Sequence, residues 1–188
     1  AADGEQVLKL AAKEEFEYAD VDELGTVVEK DYTPYHINQV LALKLVNRDA
    51  IAQADLKIVV DAVNSVGGVV IPALLRALGV KEIIELNCEP TGHFAHNPEP
   101  IPENLTQIAA KMKESRADLG IVVDPDVDRL ALISENGEMF GEEYTLVAVA
   151  DYVLKHTPGN TVSNLSSSRA LKDVTEAYGQ QYHAAAVG

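Results

Sequence analysis

The sequence predicts an α/β fold: a mixed, mainly parallel sheet sandwiched between helices, followed by a second unit of similar type with too few strands to complete its sheet. Three observations predict it. Short apolar runs of strand length alternate with helix-length segments from Leu56 onward. Glycine-containing turns punctuate the alternation, as at Gly67-Gly68 and Gly79. The alternation pauses at Asn136-Gly137, a turn signal, and then restarts.

Gln6 to Lys13 is a short amphipathic segment, and acidic, irregular sequence follows to Lys30. Asp31 to Val46 reads as one helix, with Ile37, Val40, Leu41, Lys44 and Leu45 along one face and Thr33-Pro34 at its first turn. Leu56 to Val60 is strand-like, Asp61 to Gly68 a polar turn, and Val69 to Leu78 a helix closed by Gly79. Glu82 to Leu86 is a second strand. A long loop from Asn87 carries Pro90, Pro98, Pro100 and Pro102, and Glu103 to Ser115 is a helix. Leu119 to Val123 and Leu130 to Ser134 are strands. After the Asn136-Gly137 turn come a helix over Glu142 to Lys155, a strand over Thr161 to Leu165, a helix over Ser168 to Tyr178 and a strand over Gln180 to Ala185. Domains are therefore expected at 1–48, a tail with a linking helix; at 49–138, one whole layered domain; and at 139–188, the start of another.

The chain of 188 residues is 47% apolar and 24% charged, the composition of a globular protein. Its net charge of -15 argues against nucleic acid or an anionic membrane as partner through a broad basic face. Cys88 is the only cysteine, so no intrachain disulfide can form, and a reducing, cytoplasmic setting is expected. No apolar run reaches the roughly 20 residues needed to span a bilayer, and the first residues carry no signal-peptide pattern. The absence of an initiator Met and the abrupt end lead us to expect a piece of a longer protein.

The most informative stretch is Asp124-Pro125-Asp126-Val127-Asp128-Arg129. Three carboxylates at alternate positions follow a buried-strand run, Leu119-Gly120-Ile121-Val122-Val123, and can converge on one point. Clustered hard oxygen ligands suit Mg²⁺ or Ca²⁺, and an adjacent arginine can grip phosphate. Four readings compete. A plain solvated turn gives no reason for three repelling charges. An EF-hand needs glycine at its sixth loop position, where this chain has Arg129, and needs helices where the flanks read as strands. An aspartyl phosphatase of the haloacid-dehalogenase type would use Asp124 as nucleophile and Asp126 as acid/base, but its remaining pieces are hard to place. A metal loop serving phosphoryl transfer uses all four charged residues.

At these residues the chain resembles the α-D-phosphohexomutase superfamily, the phosphoglucomutase/phosphomannomutase enzymes, whose metal loops read Asp-Gly-Asp-Gly-Asp-Arg or Asp-Pro-Asp-Ala-Asp-Arg. Val60-Asp61-Ala62-Val63-Asn64-Ser65-Val66-Gly67-Gly68 resembles the opening of the family's second domain. Pro90-Thr91-Gly92-His93-Phe94 with Asn97-Pro98-Glu99-Pro100 resembles a family loop, and Ala117-Asp118-Leu119-Gly120-Ile121 leads into the metal loop as in the family. The resemblance covers about residues 31–188. It implies Mg²⁺ held by Asp124, Asp126 and Asp128, and phosphate contacted by Arg129. It implies hexose phosphates as substrates, glucose or mannose 1- or 6-phosphate, with a bisphosphate intermediate formed through a phosphoserine. That serine loop, the Gly-Glu-x-Ser sugar loop and the phosphate clamp have no counterpart here, so the missing domains of the same polypeptide are expected partners and no nucleophile is expected in this chain. Ser166 stands where some members carry a substrate-contacting lysine, and Gly188 where a contact residue would follow. The chain alone is expected to lack mutase activity. A non-catalytic cation-binding module is the rival of another class.

Other residues have plainer readings. His93 and His96 are spaced i, i+3 in a proline-rich loop without a third ligand type, so a structural or solvated role outweighs zinc. Ser168 reads as a helix N-cap rather than a nucleophile, Gly67-Gly68 as a closely packed turn rather than an anion cradle, and Cys88 as a small buried side chain. Gly141-Glu142-Glu143-Tyr144 resembles the sugar loop but falls too soon, and reads as a helix start whose glutamates favour the dipole.

Overall fold

The structure, a computed structural model, describes residues 1–14 and 16–187, apart from the side chain of Glu142. Gly188 and the Glu142 carboxylate, both singled out above, lie outside what is described. Two compact units are present, 1–32 and 33–188. The first holds helix α1 (Ala2–Lys13), which starts one turn earlier than its apolar pattern suggests, with Asp3 and Glu5 in the first turn where they favour the dipole. None of its residues is buried.

The second unit holds the sheets. Its elements are α2 (Thr33–Leu41), α3 (Arg48–Gln53), β1 (Lys57–Asp61), α4 (Gly67–Leu78), β2 (Glu82–Leu86), α5 (Thr106–Ser115), β3 (Leu119–Val123) and β4 (Leu130–Ser134). Then follow α6 (Glu142–His156), β5 (Thr161–Asn164), α7 (Ala170–Ala177) and β6 (Tyr182–Ala185). The single helix expected over 31–46 is a correction. It stops at Leu41, and a separate helix α3 follows because Asn47 caps it, its Oδ1 accepting from Ala50 N at 3.0 Å. The α5 helix begins at Thr106 rather than Glu103, since Pro102–Asn104 form a tighter 3₁₀ turn.

Strands β1 to β4 form one sheet in the order β2-β1-β3-β4, with β2, β1 and β3 parallel and β4 antiparallel. Successive residues of a strand face opposite sides, so β1 feeds two cores. Val59 joins Leu105, Ile108 and Met112 on one face, while Ile58 and Val60 join Leu75 and Val80 on the other. Each fully buried side chain of this kind contributes about 1.5–3 kcal/mol. Helices α4 and α5 thus cover opposite faces, and the sheet is mixed, mainly parallel and sandwiched between helices. From β1 the chain runs outward to β2 and then returns to the far side of β1 as β3. The carboxyl ends of β1 and β3 therefore flank the point where the winding reverses, the place where sheets of this type leave a crevice for ligands.

Gly67 and Gly68 are held by close contact. A Cβ on Gly68 would lie 2.0 Å from the Cys88 carbonyl oxygen, and one on Gly67 2.5 Å from Val123 Cγ2. The two glycines open α4, two residues before the Val69 start expected, and pack its first turn against β3 and the chain just after β2, the close packing that the glycine pair suggested. A second, two-stranded parallel sheet pairs β5 with β6, and α6 packs on both α7 and β4. Among the described residues no helix is long and apolar enough to cross a membrane.

Candidate metal and phosphate site

Asp124 follows directly on the last residue of β3, and the loop to Arg129 folds back around its carboxylate. Asp124 is only 7% exposed. Its Oδ1 accepts from the backbone N–H groups of Asp128 at 3.1 Å and Arg129 at 3.0 Å. Ser65, in the turn after β1, ties the loop to the neighbouring strand by donating to the Pro125 carbonyl at 2.6 Å. Val127 sits at the apex with φ 60, a left-handed conformation costly for a β-branched residue.

This wrapping brings the three aspartates together. One carboxylate oxygen from each of Asp124, Asp126 and Asp128 lies within 4.8 Å of the others, with Asp126 and Asp128 exposed. On an octahedral Mg²⁺ with bonds of roughly 2.1 Å, trans oxygens lie about 4.2 Å and cis oxygens about 3.0 Å apart, so side-chain rotation must draw the three carboxylates together to close the set. The donor chemistry fits Mg²⁺: all hard oxygens, three formal negative charges, and open sides left for water or a phosphate oxygen. The electrostatics fit as well. Burial pushes Asp124 upward, but the Arg129 N–H and hydrogen bonds with Asp128 and Asp126 outweigh it, leaving Asp124 below its ordinary value. Asp128 is raised, chiefly by the charge of Asp126 and then by its hydrogen bond with Asp124. Such mutual repulsion is what a bound cation would relieve.

Arg129 and Asp128 line a cleft of about 440 Å³ together with Glu99, Pro100, Ile101 and Thr145. Arg129 Nη1 donates to Glu99 Oε1, and its Nε lies 3.9 Å from Asp128 Oδ1. The hydrogen bond to Glu99, and then its charge, raise the guanidinium pKa. Side chains of both residues are half exposed, 51% for Arg129 and 50% for Glu99, so the guanidinium stays open to an incoming anion.

Residues 34–137 match the family model described as phosphoglucomutase/phosphomannomutase, alpha/beta/alpha domain II. The chain belongs to the phosphoglucomutase/phosphomannomutase family. A phosphoglucomutase/phosphomannomutase of Thermococcus kodakarensis is 34% identical across 97% of this chain and 40% of that protein. A phosphomannomutase/phosphoglucomutase of Pseudomonas aeruginosa is 36% identical across 83% of this chain and 33% of its own length. The crystal structure of a phosphoglucomutase/phosphomannomutase family protein from Burkholderia thailandensis superposes on all of this chain and 39% of that one, with a TM-score of 0.76 and 26% identity. The chain thus spans about 40% of the T. kodakarensis relative it matches.

The structure also places residues whose part the sequence did not reveal. Asp61, at the end of β1, is fully buried, its Oδ1 accepting from Val63 N and Asn87 Nδ2, both at 3.1 Å. His96 turns its ring onto the same carboxylate, with Nε2 3.1 Å from Asp61 Oδ2. His93 stays exposed. A carboxylate that ends an apolar strand run is the one signal that could have marked Asp61. Ser166 donates both its N–H and its hydroxyl to Asn164 Oδ1, at 3.2 and 2.7 Å. Ser168 is not the N-cap expected of it: α7 begins at Ala170 with Arg169 at its N-cap, so the Ser168 hydroxyl, which accepts from Ala170 N at 3.3 Å, lies one residue too early, and its own N–H is taken by Glu143 Oε2 at 2.8 Å. Cys88 lies half-buried over β1 and β2, and burial first, then the charges of Glu85 and Asp61, push its thiol up to about 11.

Proposed function

We propose that this chain is the Mg²⁺-binding central portion of a phosphoglucomutase/phosphomannomutase that moves a phosphoryl group between C1 and C6 of glucose or mannose phosphates. The observation that carries the reading is the convergence of Asp124, Asp126 and Asp128 beside Arg129, in a chain that belongs to this family. Asp124, Asp126 and Asp128 would hold Mg²⁺, which neutralises charge on a transferring phosphoryl group. Arg129, half exposed on the cleft, would receive phosphate through its planar fork of donors. The nucleophilic phosphoserine would come from a segment outside this chain, and the bisphosphate would reorient in the shared site. The domain division at 1–48, 49–138 and 139–188 is part of the proposal. It is supported by the family match ending at 137 and by the first sheet ending at Ser134, although α2 packs on α4 within one compact unit. A cytoplasmic location fits the single, protonated Cys88.

An aspartyl phosphatase is disfavoured by Asp124 itself. The candidate nucleophile is nearly buried, and one of its oxygens is committed to two backbone N–H groups. The test is an assay of glucose 1-phosphate and mannose 1-phosphate in a protein that carries this chain, beside the isolated 188 residues. Conversion by the former, lost in Asp126→Asn, and none by the latter is the expected pattern. Turnover or phosphate hydrolysis by the isolated chain would overturn it.

A further inference from the structure

Both ring nitrogens of His96 face acceptors. Nε2 lies 3.1 Å from Asp61 Oδ2, and Nδ1 lies 2.8 Å from the Asn97 carbonyl. A carbonyl and an ionised carboxylate cannot donate, and a neutral imidazole carries a single N–H, so with Asp61 ionised both bonds form only when the ring is an imidazolium. Its surroundings suit that state. The His96 side chain is 15% exposed and Asp61 is sealed in the fold at 1%. Asn87 on the β2 side and Gln107 on α5, which pair with each other at 3.0 Å, are neutral. Cys88 keeps its proton, and Asp61 is the charged group in contact with the ring.

From His96 the bonding runs on to the phosphate side of the site. Asn97 Oδ1 accepts from Glu99 N at 3.1 Å. The Glu99 carbonyl accepts from Asn104 Nδ2 at 2.8 Å and from Ile101 N at 2.9 Å. The Glu99 backbone is thus held at both its polar atoms, and its carboxylate holds Arg129. We propose that His96 is a positioning residue for Arg129: as an imidazolium it clasps Asp61 to Asn97 and fixes the loop that presents Glu99, and on losing a proton it releases that loop and lets Arg129 wander. The functional consequence rests on the proposed role of Arg129 at phosphate. A purely structural histidine would stabilise the fold without making Arg129 follow its protonation.

The experiment follows the Arg129 Nε–H signal and the His96 ring carbons by NMR in the chain carrying His93→Gln, which removes the other imidazole of the loop, over roughly pH 5 to 8. The expected result is one shared midpoint, with the Arg129 signal sharp below it and lost to exchange above it. In H96Q on the same background the Arg129 signal should be broad at low pH and indifferent to pH. An Arg129 signal that stays unchanged while His96 titrates, a His96 ring that does not titrate in this range, or a response that persists in H96Q would each overturn the proposal. The titration of the His96-containing chain decides the matter even if H96Q fails to fold. Sulfate, whose charge is constant in this range, gives the second arm: with Mg²⁺ present its affinity should fall at least several-fold above the midpoint. Absence of sulfate binding at every pH would count against Arg129 as the phosphate contact, while the shared NMR midpoint would still judge the clasp.

Discussion

The Asp124 carboxylate accepts the backbone N–H of Arg129 at 3.0 Å, so the first of the three clustered acids also fixes where the arginine begins. One side chain thereby couples the proposed metal half of the site to its proposed phosphate half. Replacement by Asn keeps an acceptor oxygen, whereas Ala removes it. Asp124→Ala should cost roughly 2 kcal/mol of stability, in line with the loss of hydrogen bonds to a charged acceptor, and Asp124→Asn less than half of that. Both should abolish Mg²⁺ binding. Urea unfolding beside a Mg²⁺ titration separates the two effects. Equal destabilisation by both variants would show that charge, rather than acceptor geometry, shapes the loop.

Val127, at φ 60, inverts a familiar order of substitutions. Alanine normally outperforms glycine by about 0.5–1 kcal/mol where the backbone is regular. At this apex any Cβ pays the left-handed penalty of roughly 1–2 kcal/mol. Val127→Gly should therefore be more stable than Val127→Ala by about 1 kcal/mol in thermal or urea unfolding, although both lose the same packing. Val127→Ala ranking first would contradict the loop conformation.

Gly68 tests the packing that sets β1 beside β2. Its hypothetical Cβ meets backbone, the Cys88 carbonyl at 2.0 Å, and backbone cannot swing aside as a side-chain tip can. Gly68→Ala should destabilise by at least about 2 kcal/mol, whereas Gly4→Ala, in open space within helix α1, should not destabilise. Calorimetric midpoints of the two variants are the check.

Much of this was legible in the sequence, and the parts that were not share a reason. Glu82–Leu86, Leu119–Val123 and Leu130–Ser134 are strands over the residues expected, because each is a short apolar run whose neighbours cannot extend it. The carboxylate cluster was legible because its members are two residues apart. The α3 helix, RDAIAQ, was missed because six residues show no period, and its one signal, the Asn47 cap, directly follows a stretch assigned to a longer helix. The partnership of Arg129 with Glu99 spans 30 residues and that of His96 with Asp61 spans 35. Pairs so distant depend on where β1, β3 and the proline-rich loop meet, which no local pattern encodes.

Cys88 carries a pH prediction. Its thiol, raised from 9.0 to about 11, holds its proton more tightly in the folded chain than in the unfolded one. The associated stability is complete below the lower value and is lost as pH rises towards the upper. Alkylation by iodoacetamide near neutral pH should be at least about tenfold slower than for a free thiol of pKa about 8.5, and should accelerate steeply only as pH approaches the raised value. Rapid alkylation at neutral pH would mean that the turn after β2 opens readily.

In the proposed function Asp124, Asp126 and Asp128 act together as a Mg²⁺ site. A Mg²⁺ titration of the chain followed by backbone amide NMR tests this most directly. Saturable shifts confined to residues 124–129 and the facing Ser65 turn, absent in Asp126→Asn, are the expected result. Shifts scattered over the acidic surface, or identical titrations of the parent chain and Asp126→Asn, would contradict it.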